Sequence, residues 1–123
     1  MALLNFQKRF ARSVAEGTKR QSIRAKRKNP VKRGELLHLY TGLRTAHTKK
    51  LGVSYCTQTK PVRIYPTGDI RISGVLIDPS DEWDLITSDG FRDKGEFLAY
   101  FCPEGQTFEG DVICWGKLSK GAA

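Results

Sequence analysis

The sequence predicts a mixed α+β fold: a small curved sheet or barrel with an N-terminal helix and a second short helix before the last strand. Three observations carry this reading. Phe6, Phe10 and Val14 recur at four-residue intervals with Lys8, Arg9 and Arg12 between them, which is helix periodicity with one apolar stripe. From residue 35 onward, segments rich in Val, Ile, Thr and Tyr alternate with Gly- and Pro-containing turns, as short strands do. Asp93, Lys94, Gly95 and Glu96 then have capping-box spacing ahead of Phe97, Tyr100 and Phe101. Helix, strands, short helix, strand is an α+β order.

Taken in chain order, Gly17 is placed to end the first helix, since glycine reaches the left-handed backbone conformation at low cost. The run Lys19 to Arg24 reads as extended and leads into a basic loop, AKRKNPVKRGE, punctuated by Pro30 and Gly34. ELLHLYT, residues 35–41, reads as a strand stopped by Gly42, and residues 42–50 as an exposed basic loop. Residues 51–65 suit strands, with Pro61 marking a bulge or an edge. YPTGD is a turn into IRISGVLI, where Ile70 and Ile72 alternate with polar residues. DPSDEWDLITSDGF reads as a turn-rich acidic connection, and PEGQTFEGD as the lead into a strand from Val112 to Trp115. One domain over residues 1–118 and a mobile tail over 119–123 complete the expectation.

Composition narrows the function classes. The chain has 123 residues, 39% hydrophobic and 28% charged, an ordinary globular balance with enough length for a core. No apolar run approaches the roughly 20 residues that span a bilayer, and MALLNFQKRF lacks a charged-then-apolar leader pattern. Cys56, Cys102 and Cys114 are odd in number and have no C-x-x-C spacing, so a reduced cytoplasmic setting is expected rather than a disulfide framework. No His/Cys/carboxylate spacing suggests a metal, no phosphate-loop motif is present, and no cofactor is expected.

The net charge of +8 is unevenly spread. Residues 1–50 hold 14 Lys/Arg against two acids, Glu16 and Glu35, whereas residues 51–123 hold seven against eleven. Such a split builds a strong positive field over part of the surface and points to a polyanionic partner. Arg20, Arg24, Lys26, Arg27, Lys28, Lys32 and Arg33 are the candidate phosphate contacts, backed by Arg44, Lys49 and Lys50. Tyr40 and Tyr55 are candidate stacking platforms, although each also suits a half-buried strand position. His38 and His47 read as surface or loop residues, and Trp83 and Trp115 as packing residues.

The stretch EGTKRQSIR, residues 16–24, is where chemistry could reside. It reads as a solvated basic edge, as a phosphate cradle, or as a lysine (Lys19) able to deprotonate a nucleophilic serine (Ser22). Strict strand alternation would put Lys19 and Ser22 on opposite faces. A shared role therefore requires Lys19 to sit in the turn after Gly17.

Several of these landmarks together resemble the ASCH domain family of the PUA-like superfamily, in a small bacterial or phage-type form. The matching segments are FQKRFARSVAEG; GTKRQSIR, read as G-x-K-x-x-[ST]-x-R; the Pro/Gly loop; GELLHLY; and SDGFRDKGEFLAYF, in that order along nearly the whole chain. The resemblance implies a PUA-like β-barrel with a cleft that binds RNA or a modified nucleoside. By position Lys19, Ser22 and Arg24 match the first motif, and Asp89 matches the acid before Gly90 and Phe91. Some relatives are amidohydrolases that deacylate N4-acetylcytidine with a lysine, a hydroxyl residue and an acid, and one has been described as a ribonuclease. In the hydrolase pattern threonine stands at Ser22 and glutamate at Asp89; serine keeps the hydroxyl, whereas aspartate is one methylene shorter.

The expected function is thus RNA or modified-nucleoside binding in a basic cleft, with Lys19, Ser22, Arg24 and Asp89 lining it. The alternatives are an amidohydrolase with Lys19, Ser22 and Asp89 as catalytic residues, and a ribonuclease on single-stranded RNA. A protein-interaction module using the acidic second half is a further class.

Overall fold

The computed structural model describes residues 2–119, which form two compact units: residues 2–20, 31–59 and 114–119 in one, and residues 21–30 and 60–113 in the other. The expected tail begins at Ser119, whose backbone exchanges hydrogen bonds of 2.7 and 2.8 Å with Val53; residues 120–123 lie outside the described residues.

In the first unit, strand β1 (Ala2–Phe6) pairs in parallel with β3 (Leu36–Thr41), and β3 pairs antiparallel with the first part of the long strand β4 (Lys49–Ile64). Along β1, Ala2, Leu4 and Phe6 are buried while Leu3 and Asn5 are exposed, the alternation of a strand with one covered face. Phe6 therefore belongs to β1 and not to the predicted helix, which runs as α1 from Lys8 to Ala15 with Val14 fully buried. Gly17, at φ +81°, closes α1 as predicted: its N–H donates to the Val14 carbonyl and the Thr18 N–H to the Ser13 carbonyl, the double bond of a Schellman cap. Leu4, Leu37 and Leu39 fill the core, and Phe6 meets Trp115 edge to face at 5.7 Å.

The second unit holds β2 (Gln21–Ala25), the end of β4, β5 (Ile70–Ile72), β6 (Val75–Leu76), helices α2 (Pro79–Ser88) and α3 (Lys94–Phe101), and most of β7 (Phe108–Trp115). The predicted turn at Tyr65–Asp69 joins β4 to β5, with the Tyr65 N–H donating to the Asp69 carbonyl. Ser73 and Gly74, both at positive φ, make the two-residue turn into β6. The predicted capping residue Asp93 accepts the Glu96 N–H at 2.8 Å and starts α3. Phe91, Phe97, Tyr100, Phe101 and Phe108 pack as an aromatic cluster with ring centroids 4.8–5.7 Å apart.

Three expectations need correction. The acidic connection contains a helix: Asp78 caps α2 by accepting the Asp81 N–H, Pro79 opens it, and Asp81 and Glu82 sit in its first turn, where acids favour the helix dipole. The described residues thus hold three helices. The last strand begins at Phe108, four residues before the predicted start. Finally, the seven strands among the described residues do not close into a barrel. They pair in the order β1-β3-β4-β5-β6, with β7 on β4 and β2 on β7. A barrel requires every strand to be paired on both sides; this path ends at β1 and at a two-residue β6 whose side chains are both exposed.

Candidate functional site

Strand β2 is the backbone of the candidate site. Its alternation puts Ser22 and Arg24 on one face, two residues apart, and the Arg24 Nε donates to the Ser22 Oγ at 2.7 Å. Ser22 is buried and Arg24 half-buried. The neighbouring Ile23 N–H donates to the Asp89 Oδ1 at 3.1 Å. Asp89 is itself buried and caps the C-terminus of α2, with its own N–H donating to the Leu85 carbonyl. Gly90 (φ +96°) follows it, donating to the Thr87 carbonyl while the Phe91 N–H reaches the Ile86 carbonyl. The acid-Gly-Phe signature is therefore a second Schellman cap, whose glycine turns the chain and whose Phe91 enters the aromatic cluster. It fixes where the Asp89 carboxylate points.

The electrostatics follow from this packing. Burial pushes the Arg24 guanidinium below its usual pKa, Asp89 and Tyr100 pull it back, and Arg27 adds to the lowering. A cation withdrawn from water beside a hydroxyl and a carboxylate is a set of directed donors and acceptors rather than a diffuse basic edge. Backbone contact tightens β2 further: a Cβ on Gly110 of β7 would fall 2.1 Å from the Arg24 carbonyl oxygen, so only glycine lets the two strands approach.

Lys19 lies in the turn after Gly17, the position that a role beside Ser22 would require. Its N–H donates to the Ser13 carbonyl at 3.0 Å. The residue is 4% exposed, uncommon for lysine. Its Nζ stands 5.1 Å from the Phe10 ring centroid, whose face also meets the Arg9 guanidinium at 4.4 Å. Arg20 is exposed, with Nε donating to the Gly17 carbonyl.

Of the predicted phosphate contacts, Lys26 and Lys28 are exposed and Arg27 half-buried in the second unit; Lys32 and Arg33 are exposed in the first, the Lys32 N–H donating to the Glu35 Oε1. Tyr40 is half-buried with the Lys50 Nζ 5.8 Å from its ring centroid, and Tyr55 is exposed. Trp115 is buried as expected of a packing residue, whereas Trp83 on α2 is 54% exposed.

Sequence reading missed a concave feature. A pocket of about 210 Å³ in the second unit is lined by Lys26, Arg63, Tyr65, Arg71, Glu109 and the glycines 74 and 110, among others. It shares none of its lining with Ser22, Arg24 or Asp89. The signal was present in part, as Arg63 and Arg71 each stand between two β-branched apolar residues at alternate positions, but their pairing depends on strand register.

No helix among the described residues is long and apolar enough to cross a membrane. No protein-family model matches the chain, and no curated protein matches it. Among solved structures it is similar to ASCH from Zymomonas mobilis, with a TM-score of 0.56 and 13% sequence identity over 95% of this chain and 67% of that one. At that identity the likeness is one of architecture, and the architecture of this chain is ASCH-like.

Proposed function

We propose that the chain binds single-stranded RNA or a modified nucleoside through β2 and the basic segment that follows it. The observation that carries this reading is the Arg24–Ser22 hydrogen bond, with Asp89 anchored one residue away on the Ile23 N–H. Guanidinium, hydroxyl and carboxylate together offer the donors and acceptors that read base edges, and unpaired bases are read on such edges. Lys26 and Lys28, exposed immediately downstream, supply the phosphate contacts. The ASCH-like fold supports the reading by analogy only.

The test is a salt titration of short single-stranded RNA binding. Lys26→Ala and Lys28→Ala should each reduce the slope of log K against log salt by up to about one. Arg24→Ala should weaken binding at every salt concentration. Unchanged affinity in Arg24→Ala would overturn the β2 contact, and unchanged salt slopes in Lys26→Ala and Lys28→Ala the phosphate contacts.

The burial of Ser22 and Asp89 favours a second reading, deacylation of an N4-acetylcytidine-type nucleoside. Against it, one lone pair of the Ser22 oxygen is already engaged by Arg24. Loss of an acetyl mass from the free nucleoside that disappears in Lys19→Ala would establish this activity; shortened RNA strands would instead reveal ribonuclease action.

A further inference from the structure

The pocket in the second unit has a feature that folding alone does not explain. Arg63 and Arg71 are directly opposed partners across the antiparallel β4–β5 ladder, both exposed on the same face. Like charges in that relationship destabilise a sheet. The flanking pairs, Val62 with Ile72 and Ile64 with Ile70, turn their apolar side chains to the other face and keep the register fixed, so the arginines cannot slip apart. Glu109 on β7 forms an ion pair with Arg63. Glu109 and the Tyr65 hydroxyl both hold the Arg63 guanidinium above its usual pKa, with Tyr65 the larger influence. Arg71 has a 3.3 Å bond from Nη1 to the Gly74 carbonyl. Lys26 completes the cationic wall.

Background charge does not account for the cluster. The second unit carries nine Lys/Arg against eleven Asp/Glu, yet three of those cations and only one acid line this pocket. The other acids lie elsewhere, four of them at the N-terminal cap of α2 and on the helix itself.

We propose that this pocket binds a phosphate monoester carried on a ring-bearing group, the chemistry of a nucleotide or of a phosphorylated RNA end. Lys26, Arg63 and Arg71 less Glu109 leave two positive charges, which match a monoester of about −1.5 to −2 at neutral pH better than a singly charged diester. The guanidinium forks of Arg63 and Arg71 suit phosphate oxygens. Gly74 has open space where a side chain would stand, so the backbone there admits close approach. Tyr65, Pro61 and Val62 supply ring and apolar surface for the attached sugar. The volume, about 210 Å³, is below the roughly 300–1,000 Å³ of sites that enclose whole ligands, so the pocket takes the phosphate and its immediate attachment. This site stands apart from the Ser22–Arg24–Asp89 cluster and shares only Lys26 with the binding surface proposed above.

The experiment compares a 3′-labelled short single-stranded RNA bearing a 5′-phosphate with the same RNA bearing a 5′-hydroxyl. Nucleoside 5′-monophosphate and inorganic phosphate serve as competitors. The wild type should prefer the phosphorylated end about tenfold, corresponding to one strong charge-assisted contact. Displacement by the mononucleotide with no difference between the two RNA ends identifies a free nucleotide as the source; a preference for the phosphorylated end identifies nucleic acid. Arg71→Glu should abolish the preference while raising thermal stability, because it turns an opposed like-charge pair into an ion pair. Arg24→Ala should leave the preference intact while weakening overall RNA binding. No preference and no competition in the wild type, or a preference that survives Arg71→Glu, would overturn the pocket. Loss of the preference in Arg71→Glu alongside unchanged affinity in Arg24→Ala would instead retain the pocket and reject the β2 reading.

Discussion

Arg24 and Ser22 lie two residues apart on one face of β2, joined by a 2.7 Å hydrogen bond from Nε to Oγ. The contact turns a long flexible cation into a positioned one, and burial makes its geometry matter more. Hydrogen bonds involving a charged partner are worth about 1.5–3 kcal/mol, so Arg24→Ala should lower unfolding free energy by that order. Arg24→Lys should keep the charge without recovering the bond, because lysine has no Nε within a planar fork. Denaturant unfolding of both variants, paired with RNA affinity, separates the loss of position from the loss of charge.

Asp89 supports β2 from the end of α2 by accepting the Ile23 N–H. Asparagine retains an oxygen at that place, so Asp89→Asn should preserve most of the stability that Asp89→Ala loses, about 1–3 kcal/mol for an unsatisfied buried donor. If the carboxylate charge also serves ligand binding, affinity should fall in both variants while stability falls mainly in the alanine. Equal losses of stability in the two would remove the backbone bond as the reason for Asp89.

Gly90 and Gly110 separate two uses of glycine near this site. Gly90→Ala carries the cost of a left-handed backbone, about 1 kcal/mol. Gly110→Ala should cost considerably more, since its Cβ would press on the Arg24 carbonyl at 2.1 Å and force β7 away from β2. Thermal melts should rank the two in that order, and RNA affinity should fall further in Gly110→Ala.

The sequence made parts of this arrangement legible and hid others for physical reasons. Gly17 and Asp93 were readable because caps are local chemistry, fixed within four residues of the chain. Helix α2 was locally signalled too, by Asp78, Pro79, the early acids and Gly90, but the density of acidic and turn-forming residues obscured the signal. Strand β1 was hidden because its five residues are short and its parallel partner is more than thirty positions away. The burial of Ser22 and Asp89 follows from contacts over 66 residues, and the opposition of Arg63 to Arg71 from the turn at Tyr65–Asp69; neither can be read from residue types alone. The open sheet likewise depends on which edges stay unpaired, a non-local property.

Cys56 provides a test of the core that does not depend on function. It is 2% exposed on β4, and its Sγ lies 3.5 Å from the Gln58 carbonyl, a weak bond. Burial raises its thiol pKa, Glu35 adds to the rise, and the Gln58 bond partly opposes it. The unfolded thiol, near pH 8.5, therefore ionises before the folded one. The stabilisation is fully present below the unfolded value and is lost progressively as pH rises through the folded value. Denaturant unfolding from pH 7 to pH 10 should show declining stability, with a shallower decline in Cys56→Ala. The same burial should leave Cys56 slow to react with iodoacetamide at pH 8, whereas the more exposed Cys114 is labelled first. Rapid labelling of Cys56 in the native protein would mean that β4 opens far more readily than its packing implies.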